Sequence, residues 1–141
     1  MANCPDDKGE VAVTESFAVS LIEAMRGADA TERLLAASDF NPGPAEGYEQ
    51  VLVKVSVTSR LDQDNPVLVS GFDFAVADQS GEEFMPNVAK VPDPELFVFL
   101  YPGGVAEGWV AFDVEAETED PLLVFSPLTG TAPDLRYFSI E

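Results

Sequence analysis

The segment Gly47–Ser59, GYEQVLVKVSVTS, limits most narrowly what this chain folds into. Val51, Val53, Val55 and Val57 recur at every second position, with Leu52, Lys54, Ser56 and Thr58 between them. Side chains of an extended chain alternate between faces, so this spacing lines the valines along one side of a strand. Such a strand belongs at the centre of a sheet with one dry face. The opposite face carries Lys54 among Leu52, Ser56 and Thr58 and reads as half dry. It lies under a helix or carries a partner.

The rest of the chain reads as strands that fold back over the valines. Residues 1–10 are polar, with Asp6, Asp7 and Gly9, and form a disordered head. From Val11 to Arg26 the pattern is strand-like, with Ile22 breaking the alternation and marking a bend or a doubly covered position. After Gly27 the period changes. Asp29 followed by Glu32 resembles a capping box, and Ala30, Leu34 and Ala37 share a helical face, so a short helix is predicted over Ala30–Ala37. Asn41-Pro42-Gly43-Pro44 is a rigid loop into the valine strand. Beyond it come a polar loop (RLDQDN), a short strand Val67–Ser70 and a bend at Gly71. Phe72, Phe74 and Val76 then alternate up to a hairpin turn at Gln79–Glu82. Pro86, Pro92 and Pro94 keep residues 84–94 out of any central strand. Further strands are predicted at Glu95–Leu100, Val105–Val114, Leu122–Phe125 and Leu135–Ile140, the first two separated by a sharp turn at Tyr101–Gly104. Turns spaced by roughly 8–12 residues are the mark of a sandwich or barrel.

At 141 residues the chain fits one domain, and a domain of this size buries ~70% of its unfolded surface. A hydrophobic content of 46%, including 10 phenylalanines, supplies the core. Charge is the dominant compositional signal: 7 basic against 26 acidic residues give −19. Such a surface repels nucleic acid and anionic lipid, and it favours solubility or salt adaptation ahead of a cationic partner. No apolar run approaches the ~20 residues that span a bilayer. The start, MANCPDDKGE, contains no signal-peptide pattern, so the protein is either cytosolic or separated here from its targeting segment. The lone Cys4 forms no intrachain disulfide. The residues before it make no lipobox remnant, and it reads as a free thiol in the polar head.

The chain contains no histidine, which removes the commonest general base, the Ser-His-Asp arrangement and most zinc and copper sites. A carboxylate pair is the remaining route to hydrolysis, but spacing singles out no pair among 26 acids. Calcium favours several oxygen ligands from one loop, and Asp62, Asp64 and Asn65 offer them; this loop reads first as a solvated turn and second as a calcium site. Asp113, Glu115, Glu117 and Glu119 alternate through a strand end. They read as protection of a sheet edge against pairing with another chain, ahead of a cation site. Trp109 and Tyr101 are candidates to flank a groove, and Phe97 and Phe99 to form a partner surface. Aromatics in alternating strands are more often core, and that reading is taken first.

The stretches GYEQVLVKVSV, SGFDFAVADQSGEEF and LYPGGVAEGWVAFDV resemble the bacterial telokin-like, immunoglobulin-like domains of secreted proteins and lipoproteins. The matching features are Ser70-Gly71-Phe72, the Asp78–Gly81 turn and Pro102-Gly103, within a likeness spanning about Val13 to Phe125. The resemblance implies an immunoglobulin-like antiparallel β-sandwich outside the cytoplasm or at the cell surface, often membrane-tethered, with no assigned activity and no catalytic residues. The expectation is therefore a single β-sandwich over residues 11–141 with one short helix. Its role is that of a non-catalytic extracytoplasmic module for a protein partner, working through end loops or strand addition. The alternatives are a calcium- or cation-responsive domain and, behind it, a carboxylate hydrolase. Oligomeric state stays open.

Overall fold

The computed structural model describes residues 6–61, 66–128 and 134–140. Among these residues the order is β1 (Val11–Val13), β2 (Phe17–Arg26), α1 (Ala28–Ala37), β3 (Tyr48–Ser59), β4 (Val67–Ser70), a 3₁₀ turn (Gly71–Asp73) and β5 (Phe74–Ala77). Then follow β6 (Glu83–Phe84), β7 (Phe97–Leu100), β8 (Val105–Glu115), β9 (Leu122–Phe125) and β10 (Arg136–Ser139). The valine strand β3 sits between β2 and β8 in a sheet ordered β1-β2-β3-β8. The facing layer is a sheet ordered β10-β9-β5-β6, with β4 and β7 forming a separate antiparallel pair. The result is an immunoglobulin-like antiparallel β-sandwich with one short helix.

Val51, Val53, Val55 and Val57 are fully buried against Phe74, Val76, Leu123, Phe125 and Phe138 of the opposite layer. Phe125 meets Phe17 edge-on at 5.5 Å and Phe74 at 5.1 Å between ring centroids, a geometry favoured by the ring quadrupoles. Each such side chain stabilises the fold by about 1.5–3 kcal/mol relative to exposure. The other face of β3 is divided. Leu52 is buried beneath Ala30 and Leu34 of α1, together with Val91, Trp109 and Ala111. Lys54 stays half-buried, 3.8 Å from Glu107.

The helix starts at Ala28, two residues before the predicted start, and Asp29 is not its cap. Gly27, at φ 71°, is the N-cap, and no side chain caps the helix. The positive φ turns the chain directly out of β2, which a side-chain capping box would not do. So short a helix is marginal alone, and buried polar side chains tie it down. Thr31 Oγ1 donates to Gln50 Oε1 at 2.8 Å, and Gln50 Nε2 donates to the Pro42 carbonyl at 3.1 Å. Asn41 Nδ2 donates to the carbonyls of Leu34 and Lys90, each at 2.7 Å, and its Oδ1 accepts from Lys90 N.

Two further expectations are corrected. The segment 11–26 is a hairpin and not one strand: Val11 pairs with Ser20 and Val13 with Ala18. Thr14 Oγ1 accepts the amides of Ser16 and Phe17, closing a turn that contains no glycine or proline to announce it. The irregularity at Ile22 is a register shift between Leu21 and Glu23. In the polar head, Asp6 N donates to the Tyr137 carbonyl, the Asp6 carbonyl accepts from Ser139, and Gly9 N donates to Leu21, so this described part is held to the sheet. Phe72 does not continue a strand into β5; it lies in the 3₁₀ turn. There Ser70 Oγ accepts from Phe72 N, and the Asp73 carboxylate accepts from Ser70 N at 2.9 Å, forming a capping box. No helix among the described residues is long and apolar enough to cross a membrane.

Gly108 of β8 sets how closely the approach to β7 packs on the first sheet. A Cβ at this position would lie 2.5 Å from Leu96 N and 2.6 Å from Leu96 Cα, which are backbone atoms with no rotamer to escape into. Gly108→Ala is expected to destabilise the protein by about 1–3 kcal/mol through overpacking, read as a lower urea midpoint. Gly43→Ala, where a Cβ meets nothing within 4 Å, serves as the control.

Candidate binding face

Asp62, Asp64 and Asn65, the loop read as a possible calcium holder, lie outside the described residues, as does Cys4. Among the described residues no group of three or more His, Cys, Asp or Glu side chains is placed to hold a metal ion. The acidic series does not share one strand face. Glu115 ends β8, and Glu117 and Glu119 lie in the segment after it, across a shallow recess from Asp78, Gln79 and Ser80. Asp113 is half-buried and accepts from Asn87 Nδ2 at 3.2 Å. The outer side of β8 is met by single bridges, Pro86 to Phe112 and Glu95 to Trp109, rather than by a strand. Asp78 is occupied by its own turn: its carboxylate accepts from Ser80 Oγ at 2.7 Å and from the Ser80 and Glu82 amides. The Ser80 hydroxyl is the largest cause holding its carboxyl below the ordinary range.

The expectation for Phe97 and Phe99 is overturned: they are not core. Leu96, just before β7, and Leu100 within it turn inward and are buried, whereas Phe97 is 61% and Phe99 60% exposed. The cause is the isolation of the β4–β7 pair. Its inner face rests on the core through Val67, Val69 and Leu100, and no described layer covers its outer face. Leu68, opposite Phe99 in the register, is half-buried there, and Tyr101 and Phe72 are also exposed. Proline on the approach to β7 and Pro102-Gly103-Gly104 after it keep this pair short. That punctuation was the available signal that the two faces of β7 differ.

At one end the face opens into a cleft of about 220 Å³. Its floor includes Gly71, Leu96, Trp109, Val110 and Ala111, and its rim includes Phe72, Phe97 and Val88, the last 99% exposed. Asn87 and Glu95 add polar groups, and no basic side chain lines the cleft. A Cβ on Gly71 would stand 3.1 Å from Val110 Cγ1, so the floor is already closely packed there. Trp109 is 4% exposed and lies beneath two cations, the Arg33 guanidinium at 5.0 Å and Lys54 Nζ at 5.8 Å from its ring centroid. Tyr101 is not among the residues lining this cleft, so the pairing of Tyr101 with Trp109 across a groove is not formed. An apolar concavity with a few polar groups, bordered by exposed aromatics, is suited to holding a side chain or short segment of another molecule.

No protein-family model matches the chain, and no curated protein matches it in sequence. Solved structures do match in fold. A candidate lipoprotein of Bacillus subtilis, ycdA, superposes with a TM-score of 0.68 at 13% identity, covering 93% of this chain and 38% of that one. The chain therefore corresponds to little more than a third of that protein. The yjhA protein of Bacillus subtilis gives 0.67 at 12% identity over 96% of this chain and 99% of its own. The secreted protein MPT63 of Mycobacterium tuberculosis gives 0.60 at 13% identity, over 98% and 99%. The likeness is one of fold. None of the three is named for an activity.

Behind the rim, Asp73 fixes the 3₁₀ turn that carries Phe72. Its buried carboxylate accepts from Ser70 N and from Leu128 N, both at 2.9 Å, and its carbonyl accepts from Ser126 N. Burial raises its pKa above the ordinary 3.8, outweighing the two amide bonds that lower it. The folded protein thus holds this proton more tightly than the unfolded chain. The favourable contribution is complete below 3.8 and is lost as the pH rises through the folded value. Asp73→Asn turns an amide N–H toward a donor and is expected to cost about 1–3 kcal/mol. The stability gap between wild type and variant should narrow as the pH rises above 3.8. Urea midpoints of both proteins across a pH series check this; a gap that widens contradicts it.

Proposed function

We propose that this chain is a non-catalytic extracytoplasmic binding domain, a telokin-like sandwich over residues 11–141, that engages a protein partner through the β4–β7 face. The observation that carries this reading is the exposure of Phe72 and Phe97 at an apolar cleft, with Phe99 exposed two residues further along β7. A monomeric soluble domain gains nothing from a row of exposed aromatics, whereas interfaces are built around such anchors. Placement outside the cytoplasm is supported by the secreted and candidate-lipoprotein neighbours of the same fold. The non-catalytic reading is supported by the lack of histidine and by a cleft whose lining includes a single carboxylate, Glu95.

Selection of binders from a random displayed peptide library, repeated against Phe97→Ala/Phe99→Ala, tests the assignment. Both residues are exposed, so the double variant should retain its stability to within about 0.5 kcal/mol per site. Peptides selected on the wild type are expected to lose roughly tenfold or more in affinity, in line with anchor residues. Peptides that bind both proteins equally would move the site elsewhere. Thermal melts in millimolar calcium and in chelator address the cation-responsive alternative. No shift is expected, and a stabilisation abolished by Asp62→Asn/Asp64→Asn would replace the binding-domain reading.

A further inference from the structure

We infer that β7 is an acceptor edge for an extended basic polypeptide segment, which adds as a strand beside Phe97–Leu100 and lays its side chains across Phe97 and Phe99. The inference rests on the assignment of the β4–β7 face as the binding surface and specifies the chemistry of its occupant.

The register carries the first part. Gly71 N donates to Leu96 O, which makes Gly71 and Leu96 a hydrogen-bonded pair of the antiparallel ladder. Alternation then assigns the next bonded pairs to Val69 with Val98 and Val67 with Leu100. Phe97 and Phe99 therefore direct their amide and carbonyl groups away from β4. Phe97 N is satisfied locally by Glu95 O at 3.0 Å. Phe99 N and the carbonyls of Phe97 and Phe99 meet no strand among the described residues, since β7 pairs with β4 alone. One edge thus presents the Phe99 donor and two carbonyl acceptors at strand spacing, beside an apolar face that an alternating peptide would cover. That is the combination used in strand addition.

Charge selects the occupant. The chain carries −19, and Glu95 is the one charged residue lining the cleft at the start of β7. A field of this sign draws in a basic segment and repels an acidic one. Lysine or arginine stems can lie over the Phe97 and Phe99 rings, whose faces attract cations. A second copy of the chain would offer the same aromatic row but brings its own −19 to the contact.

The probes are fluorescein-labelled octapeptides, read by fluorescence anisotropy on the intact protein. One alternates lysine with valine and threonine; a second is the same sequence with one central valine replaced by proline; a third replaces lysine by glutamate. The alternating basic peptide is expected to bind. Binding should weaken roughly tenfold or more with the proline peptide, which cannot complete a ladder, and in Phe97→Ala/Phe99→Ala. Raising salt from about 0.05 M to about 0.5 M should weaken it further. Hydrogen exchange at the Phe99 amide should slow in the complex. Equal binding of the proline peptide, unchanged exchange at Phe99, or no binding by the basic peptide overturns the inference. So does a mass doubling in light scattering that Phe97→Ala/Phe99→Ala abolishes, since the face would then be closed by a second copy. Displayed peptides that are neutral or acidic and still depend on Phe97 and Phe99 would discard the basic strand while keeping the face as the binding surface. Insensitivity of every peptide to those two substitutions would discard both.

Discussion

The fold depends on β3 being unable to slip. Its valines are fully buried between layers, and its flanks are paired over nearly the whole length, from Arg26–Val51 to Phe17–Ser59 on one side and from Tyr48–Glu115 to Thr58–Val105 on the other. A one-residue shift would turn every valine outward and bring Lys54 inward. Because the strand is locked on two edges and one face, everything with freedom to vary is displaced to the periphery. The register shift of β2 lies beyond Leu21, the helix rests on only part of the outer face, and the second layer is divided.

That division creates the exposed β4–β7 face. A strand running unbroken from Val67 to Ala77 would join β4 and β5 and carry β7 into the same sheet. The chain instead bends at Ser70–Asp73, where the capping box and the buried carboxylate of Asp73 satisfy amides that would otherwise extend the ladder. β5 continues in the sheet with β9 and β6, while β4 leaves with β7. The aromatic residues of β7 are exposed because of a polar constraint several residues away. Gly108 completes the arrangement by letting the Leu96 backbone come close to β8.

The central strand, the sandwich class, the helix and the Gln79–Glu82 turn were legible because each rests on a local rule: alternation, turn spacing, helical period and glycine-bearing turn chemistry. What was not legible depends on partners distant in sequence. The Thr14 hydroxyl closes a turn that no glycine marks. Gly27, one residue before the helix, starts it in place of Asp29. The exposure of Phe97 and Phe99 depends on whether a second layer covers β7, and no periodicity records that; an alternating aromatic strand looks the same with either face buried. The acidic series after Asp113 looked like one strand face because strand ends are poorly marked when no proline or glycine intervenes.

Trp109 is the chain's one tryptophan. It lies in the floor of the cleft, with Arg33 and Lys54 over its ring. The indole is therefore close to any group entering past Phe72 and Phe97, and it is held in a defined electrostatic environment while the cleft is open. The protein carries a built-in optical reporter in the floor of this cleft, with no second indole to obscure the signal.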